Sequence, residues 1–160
     1  HKYVYSHFGY NLKATDMQAA IGCAQLEKFP TFVEKRKENW KRLYEGLQDV
    51  TDKLILTEQV ENGNPSWFGF MVTCKLGVDR FALVKKIEEN NIQTRALFAG
   101  NLIKHPCFDS IRGTDAYRVV GNLHNTNEIM NNTFWIGVYP GMTEEMLDKM
   151  ISVIKEGLNE

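Results

Sequence analysis

The chain has 160 residues, of which 43% are hydrophobic and 24% are charged, and its formal net charge is −1. These values are ordinary for a globular domain, and without a run of like charge neither a nucleic acid nor an anionic membrane is expected as a partner. No apolar segment approaches the roughly 20 residues that cross a bilayer, and the first residues lack the apolar centre of a signal peptide. We therefore expect a cytoplasmic protein.

A capping box predicts the first helix. Thr15 is followed by Gln18, so each side chain can bond a backbone N–H at the helix start. The helix is predicted to run from Thr15 to about Phe29, with one apolar face made of Met17, Ala20, Ile21 and Ala24. Because small residues dominate this segment, we expect close packing of its backbone against another element.

Pro30 is predicted to end this helix, since proline lacks the N–H that a helix interior needs. A second capping box, Thr31 with Glu34, then predicts a second helix. Its apolar positions recur at helical spacing: Val33, Trp40, Leu43, Tyr44 and Leu47. The many charged residues between 34 and 42 indicate a solvated helix surface.

After residue 50 the pattern changes to short strands alternating with helices. Strands are predicted at Leu54–Leu56, Trp67–Lys75, Ile92–Phe98 and in "TFWIGVYPG", and helices beginning at Asp79, near Asn125 and after Thr143. This order, β-β-α-β-α-β-α, predicts an α+β domain with a mostly antiparallel sheet covered by helices. Residues 1–50 are interpreted as a loop and connecting helices, and residues 51–160 as a C-terminal domain.

The aromatic pairs Trp67–Phe68 and Phe134–Trp135, together with Tyr139, are predicted to belong to the sheet core. The three cysteines, Cys23, Cys74 and Cys107, are scattered and form no C-x-x-C pair, so we predict buried free thiols. The alternative is a metal site that these cysteines share with His105.

Several polar residues are candidates for ligand contact. Asn11 precedes a helix start, where an amide can donate to an anion, although an asparagine tolerated in a turn is an equally good interpretation. Arg95 ends an apolar strand and suits phosphate or carboxylate, or a structural pair with Asp or Glu. His105 and His124 lie in loops and are candidates for proton transfer, although a lone loop histidine is more often a surface residue than a catalyst.

No self-contained catalytic motif is found: the sequence has neither a phosphate-binding glycine loop, nor G-x-S-x-G, nor a zinc-binding His-Glu helix. The chain by itself therefore does not have the features of a whole enzyme.

The segment "GYNLKATDMQAAIGCAQLEKF" resembles the G-x-N-x-R-x-x-x-x-Q-A-A-x-G-x-x-Q-L signature of the DegT/DnrJ/EryC1/StrS sugar aminotransferases, which are fold-type-I enzymes. Three later segments, "SWFGF", "TRALFAGNLIKHPCF" and "NTNEIMNNTFWIGVYPGMTEEMLD", resemble the subgroup of CDP-4-keto-6-deoxy-D-glucose 3-dehydrases of bacterial O-antigen synthesis. The resemblance covers almost the entire chain and implies the C-terminal small domain of a homodimeric enzyme more than twice as long.

The resemblance implies pyridoxamine phosphate in place of pyridoxal phosphate, a two-iron, two-sulfur cluster and a flavin-dependent reductase as electron donor. It implies a CDP-sugar as substrate and lipopolysaccharide as the destination of the product. The residue at the Schiff-base position, histidine in place of lysine, and the cluster cysteines are expected upstream of His1. The segment alone is therefore expected to be inactive.

Residue by residue, Asn11 matches the family asparagine that reaches the cofactor phosphate of the other subunit. Lys13 stands where most relatives have Arg, which keeps the charge and loses the planar fork. The resemblance assigns substrate contact to Lys13 and to residues in the sugar-nucleotide segments, His7, Arg95, Asn101 and His105.

Two other functions remain open. The first is an ordinary sugar aminotransferase of the same family, distinguished by a lysine at the upstream Schiff-base position. The second is a non-catalytic α+β binding module, which is expected to be monomeric and stable alone. A domain separated from its enzyme is instead expected to expose apolar patches.

Overall fold

The computed structural model describes residues 7–10 and 12–159, and its elements follow the predicted order. The helices are α1 (Asp16–Gly46), α2 (Arg80–Glu89), α3 (His124–Asn132) and α4 (Glu144–Gly157), the strands are β1 (Leu54–Leu56), β2 (Gly69–Cys74), β3 (Thr94–Ala96) and β4 (Thr133–Gly137), and 3₁₀ turns occupy Gln48–Val50, Leu102–Lys104 and Pro106–Ile111. This arrangement confirms the α+β prediction.

The four strands form one sheet in the order β1-β2-β4-β3, and every neighbouring pair is antiparallel. Strand β3 is shorter than the predicted Ile92–Phe98. At its start the Ile92 N–H bonds the Ile87 carbonyl at 3.2 Å, so Ile92 closes helix α2. At its end Phe98 has φ +49°, a left-handed conformation that no strand accommodates.

Helix α1 is a single helix of 31 residues, so the prediction that Pro30 separates two helices is wrong. The first capping box is confirmed: Thr15 N–H donates to Gln18 Oε1 at 2.9 Å, and Gln18 N–H donates to Thr15 Oγ1 at 3.3 Å. Thr31 lies inside the helix and therefore caps nothing. Proline in a helix interior costs about 3 kcal/mol, and packing of the C-terminal half of α1 on the core offsets it.

The core lies between one face of the sheet and the helices α1, α2 and α4. Its fully covered members include Leu43 of α1 and the following Leu47, Phe70 and Val72 of β2, Ile87 of α2, Phe134 and Ile136 of β4, and Ile154 of α4. Trp40 stacks on Trp67 with ring centroids 4.9 Å apart, which joins α1 to the start of the sheet. The core prediction is therefore confirmed for Phe134 and for the partly buried Trp67.

The N-terminal half of α1, residues 16–32, is exposed throughout. Of its predicted apolar face, Met17 is 78% and Ile21 is 65% exposed. Farther along the same half, Leu26 and Phe29 are 69% and 56% exposed. This half of the helix therefore presents an apolar surface that no described part of the chain covers.

Two ion pairs connect the region around the end of α1 to helix α4. Arg42 Nη2 lies 2.7 Å from Asp148 Oδ1, and Lys155 Nζ lies 2.7 Å from Asp49 Oδ2. The hydrogen bond from Lys155 lowers the pKa of Asp49 below its ordinary value. Both pairs are solvent-exposed, so they orient the two segments more than they stabilise the fold.

The cysteine prediction holds for one thiol of three. All three are free, but only Cys74 is buried, whereas Cys23 on α1 and Cys107 in a 3₁₀ turn are exposed. Cys74 faces the core because it follows Phe70 and Val72 at a spacing of two along β2. Burial raises the pKa of the Cys74 thiol to about 11. Across residues 7–10 and 12–159, no helix combines the length and hydropathy needed to cross a membrane.

Leu43→Ala is expected to lower the free energy of unfolding of the chain by about 2–5 kcal/mol, because it removes a fully buried side chain and leaves a cavity. Urea unfolding measures the change. Leu26→Ala on the same helix is the matched control, with an expected change within about 0.5 kcal/mol because Leu26 is 69% exposed. Equal losses for the two variants would contradict the packing of α1.

Cys74 is expected to resist alkylation by iodoacetamide at pH 8 while Cys107 reacts. A pKa of about 11 in place of 9.0 lowers the thiolate fraction about a hundredfold, and the thiol is also sheltered by the core. Peptide mass analysis over time measures both rates in one sample. Modification of Cys74 as fast as that of Cys107 in the folded protein would refute this expectation.

Candidate functional site

The face of the sheet opposite the core, here called the outer sheet face, carries a cation beside an aromatic ring. Side chains alternate along a strand, so Phe134 and Ile136 point into the core and Trp135 points outward. Arg95 on β3 is the direct partner of Trp135 in the strand register. Directly paired residues lie on the same face of a sheet, and their Cβ atoms are about 4.5–5.5 Å apart. The aliphatic part of the Arg95 side chain and the Trp135 indole are therefore neighbours.

Trp135 is the centre of an aromatic platform on the outer sheet face. Its ring packs on the backbone of Gly69, where a Cβ would lie 2.5 Å from the ring carbon Cε3. Phe68 meets the ring edge-on, with centroids 5.3 Å apart and planes at 82°. Phe68 is 60% exposed and Tyr139 is 47% exposed, so the prediction that they belong to the sheet core is wrong. The core face is already filled by the residues that alternate with Trp135.

A cleft of about 410 Å³ opens where β3 and β4 meet helix α4. Arg95 and Trp135 line one side, and Tyr139, Met146 and Lys149 line another. Two cationic side chains and two aromatic rings therefore converge on one opening. This combination suits a ligand with an anionic group and a flat or apolar part.

Residues 97–105, here called the 97–105 loop, follow strand β3. A hydrogen bond within the loop helps to hold its conformation. The imidazole Nε2–H of His105 donates to the Ala99 carbonyl at 2.5 Å. Arg112 Nη2 donates to the carbonyl of His105 at 3.0 Å and pairs with Asp109 at 2.6 Å. The orientation of the His105 ring is therefore set by the loop itself.

The same loop is fastened to helix α3 through Asn101, which is only 3% exposed. Asn101 Nδ2 donates to Asn127 Oδ1 at 2.9 Å, and the Asn101 N–H donates to Met130 Sδ at 3.4 Å. The neighbouring Phe98 has φ +49° and is 78% exposed. A bulky residue in this conformation costs of order 1–3 kcal/mol, so the surrounding contacts impose it.

The predicted site residues fall into two separate groups. Arg95 and His105 lie at the outer sheet face and in the loop that follows it, and Asn101 lies beneath that loop. His7 and Lys13 belong to the exposed N-terminal segment, in which Phe8 and Leu12 are 104% and 87% exposed. Asn11 lies outside the described residues.

Within the described part of the chain, no group of three or more His, Cys, Asp or Glu side chains is arranged to hold a metal ion. The alternative of a metal site that joins the three cysteines to His105 is accordingly wrong. Cys74 is buried in the core, whereas Cys23 and Cys107 are exposed in other elements.

Comparison with solved structures defines the class of this fold. The chain superposes on an Escherichia coli GDP-4-keto-6-deoxy-D-mannose-3-dehydratase with bound hydrated PLP, with a TM-score of 0.78 and 28% identity over 96% of this chain and 38% of that one. It also shares the fold of DesV from S. venezuelae, with a TM-score of 0.79 at 17% identity. The chain therefore has the fold of one part of the PLP-dependent aminotransferases. In the described residues this part is a small antiparallel sheet with its helices.

Sequence comparison identifies the family. The model of the DegT/DnrJ/EryC1/StrS aminotransferase family matches residues 1–155, and the chain belongs to this family. The chain is 56% identical, over 99% of its length, to the lipopolysaccharide biosynthesis protein RfbH of Salmonella typhimurium. It is 45% identical to the dTDP-4-dehydro-2,6-dideoxy-D-glucose 3-dehydratase of Saccharopolyspora spinosa. The chain spans 36% and 33% of the lengths of these two relatives.

The sequence patterns do not single out Phe68, Trp135 or Asn127 as candidates for this site. The alternation along β4 contained the signal for Trp135, because Phe134 and Ile136 cannot share a face with it. For Asn127 the sequence carries no comparable signal. Its partner Asn101 is 26 residues away, and only the tertiary structure brings the two amides together.

Gly100→Ala is expected to destabilise the fold more than Gly113→Ala does. Both glycines have positive φ, +61° and +73°, so both variants carry the left-handed backbone cost of about 1–2 kcal/mol. A Cβ at position 100 also meets Met130 Cγ at 2.4 Å, whereas nothing lies within 4 Å at position 113. The additional loss is expected to be about 1–3 kcal/mol by thermal or urea unfolding. Equal destabilisation would contradict the contact with Met130.

Proposed function

We propose that the chain is the C-terminal part of a nucleotide-sugar 3-dehydratase that uses a vitamin B6 phosphate. The observation that carries the proposal is the convergence of Arg95, Trp135 and Lys149 on one cleft of about 410 Å³. The resemblance to a named 3-dehydratase at 45% identity over 98% of the chain supports the reaction class. The exposed apolar half of α1 supports a domain that packs against further protein, and disfavours the self-contained binding module.

Each part of this face has a chemical task in the proposal. The Arg95 guanidinium presents a planar pair of donors suited to a diphosphate, and Lys149 adds a second positive charge at the same cleft. The Trp135 and Phe68 rings offer an apolar platform for the sugar or the base. His105, in the loop that follows β3, offers its imidazole to a hydroxyl of the substrate, with its Nε2 engaged by the Ala99 carbonyl.

The N-terminal segment fits a role in holding the cofactor phosphate of a second subunit. Tyr10 and Leu12, which precede and follow Asn11 in the sequence, are 91% and 87% exposed, so these two side chains are available to contact further protein. Asn11 would donate to the phosphate, and Lys13 would add charge beside it. The cofactor, when bound, supplies the conjugated system that withdraws electrons from the sugar. The small side chains and exposed face of α1 support a homodimer in which the segment is shared.

The finer assignment is a CDP-4-keto-6-deoxyglucose 3-dehydrase of O-antigen synthesis. It is supported by the three long segments around Trp67, Arg95 and Trp135 and by the 56% identity to a lipopolysaccharide biosynthesis protein. We include in this proposal pyridoxamine phosphate, a two-iron, two-sulfur cluster whose ligands lie in other parts of the protein, and a flavin-dependent reductase.

An aminotransferase on a nucleotide sugar is the second candidate, since the description of the family names that activity. The residue at the Schiff-base position of the full-length protein distinguishes the two. Lysine there supports the aminotransferase, and histidine supports the dehydratase.

The proposal predicts that Asn11→Ala in the full-length protein weakens cofactor retention by about 1–3 kcal/mol, the usual cost of losing a hydrogen bond to a charged group. Equilibrium dialysis against pyridoxamine phosphate measures the change. Asn64→Ala, in an exposed turn, is the matched control and is expected to bind as the parent protein does. Unchanged retention by Asn11→Ala would exclude the phosphate role.

The reaction itself is tested by incubating the full-length protein with CDP-4-keto-6-deoxyglucose, with and without a flavin-dependent reductase. Loss of the C3 hydroxyl, followed by mass spectrometry, supports the dehydratase. Transfer of an amino group from glutamate, with the hydroxyl retained, supports the aminotransferase.

A further inference from the structure

We infer that Asn127 of helix α3 is a positioning residue, which acts with Gly100 and Met130 to hold the 97–105 loop in the conformation that presents its side chains to substrate. This inference rests on the proposed function, because it takes the loop as part of the sugar-nucleotide site. The sequence patterns assign no role to Asn127.

The first observation is a buried amide pair. Asn101 is 3% exposed, and its Nδ2 donates to Asn127 Oδ1 at 2.9 Å. Removing the acceptor would leave a buried donor without a partner, which costs more than the hydrogen bond contributes when made. One N–H of the Asn101 amide is therefore engaged by helix α3, so in this inference Asn101 acts by holding the loop in place.

The second observation is a close approach of the loop backbone to the same helix face. Met130 follows Asn127 by three positions, so both side chains lie on one face of α3. The Asn101 N–H reaches Met130 Sδ at 3.4 Å, and a Cβ on Gly100 would lie 2.4 Å from Met130 Cγ. With φ +61°, Gly100 also supplies the turn that lets consecutive residues meet that face.

The consequence concerns the residues on either side of this anchor. Phe98, 78% exposed in a left-handed conformation, precedes it, and His105, bonded to the Ala99 carbonyl, follows it. A movement of Asn101 therefore changes the placement of both side chains. Helix α3 ends at Asn132 and β4 begins at Thr133, so the helix that anchors the loop also leads directly into Trp135. One helix thus positions the loop relative to the aromatic platform.

The experiment compares three variants of the full-length protein. Asn127→Ala removes the acceptor, Asn127→Asp keeps an acceptor oxygen, and Asn125→Ala replaces an exposed asparagine of the same helix as the control. Amide hydrogen exchange reports the order of residues 98–105, and steady-state kinetics with CDP-4-keto-6-deoxyglucose separate KM from kcat.

For Asn127→Ala we expect exchange in residues 98–105 to be about tenfold faster, with the sheet protected as in the parent protein. We expect KM to rise roughly five- to fiftyfold, with a smaller change in kcat, because the disordered loop must be ordered on binding. Asn127→Asp is expected to restore both values to within about threefold, and Asn125→Ala to match the parent.

Parent-like exchange at residues 98–105 in Asn127→Ala would overturn the anchoring. Failure of Asn127→Asp to restore the loop would overturn the hydrogen-bond explanation, and a loosened loop with an unchanged KM would overturn the link to substrate. A parent protein that turns over no nucleotide sugar would refute the proposed function instead, and the exchange measurement would still decide whether Asn127 anchors the loop.

Discussion

The architecture depends on the position of β4 between β2 and β3. Thr73 and Thr133, 60 residues apart, are paired at the end of this ladder, and their hydroxyl oxygens lie 2.8 Å apart. Pairing along β4 places Phe134 and Ile136 in the core and Trp135 opposite Arg95 on the other face. The same strand therefore contributes to the stability of the domain with one face and to the proposed site with the other.

Helix α1 combines two environments within one continuous element. Its C-terminal half contributes Trp40 and Leu43 to the core, whereas its N-terminal half leaves Met17 and Ile21 exposed. In a chain that spans about a third of the length of its relatives, an exposed apolar half-helix matches the interpretation of a domain that packs against further protein. Because α1 is continuous through Pro30, the packing of its C-terminal half on the core also sets the orientation of its exposed N-terminal half.

The proposed site is built mainly from groups whose placement is enforced by their neighbours. The Trp135 ring rests on a glycine, the His105 ring is bonded to its own loop, and Asn101 is fastened to α3. The left-handed conformation of Phe98 persists only because these contacts surround it. Preorganisation of this kind lowers the entropy lost when a ligand binds, which is consistent with a surface that forms one side of a shared pocket.

The sequence by itself determined the elements whose signals are local. The capping box at Thr15, the cap at Asp79 and the cap at Thr143 each bond N–H groups within three residues, so short-range pattern predicted these helix starts. Short apolar and aromatic runs between turn-forming residues predicted the strands, and the resulting order predicted the α+β class. The family signature also lies in contiguous residues, so the sequence alone is enough to recognise it.

Only the tertiary structure decided the features that depend on distant partners. Pro30 lies within a helix because packing that begins ten residues later, at Trp40, outweighs its local penalty. Whether an aromatic residue is in the core or on the outer face depends on which side of the sheet the helices cover. The bond between Asn101 and Asn127 joins a loop to helix α3. Nothing in the local sequence distinguishes either asparagine, because the energy of this bond arises from burial that the fold alone creates.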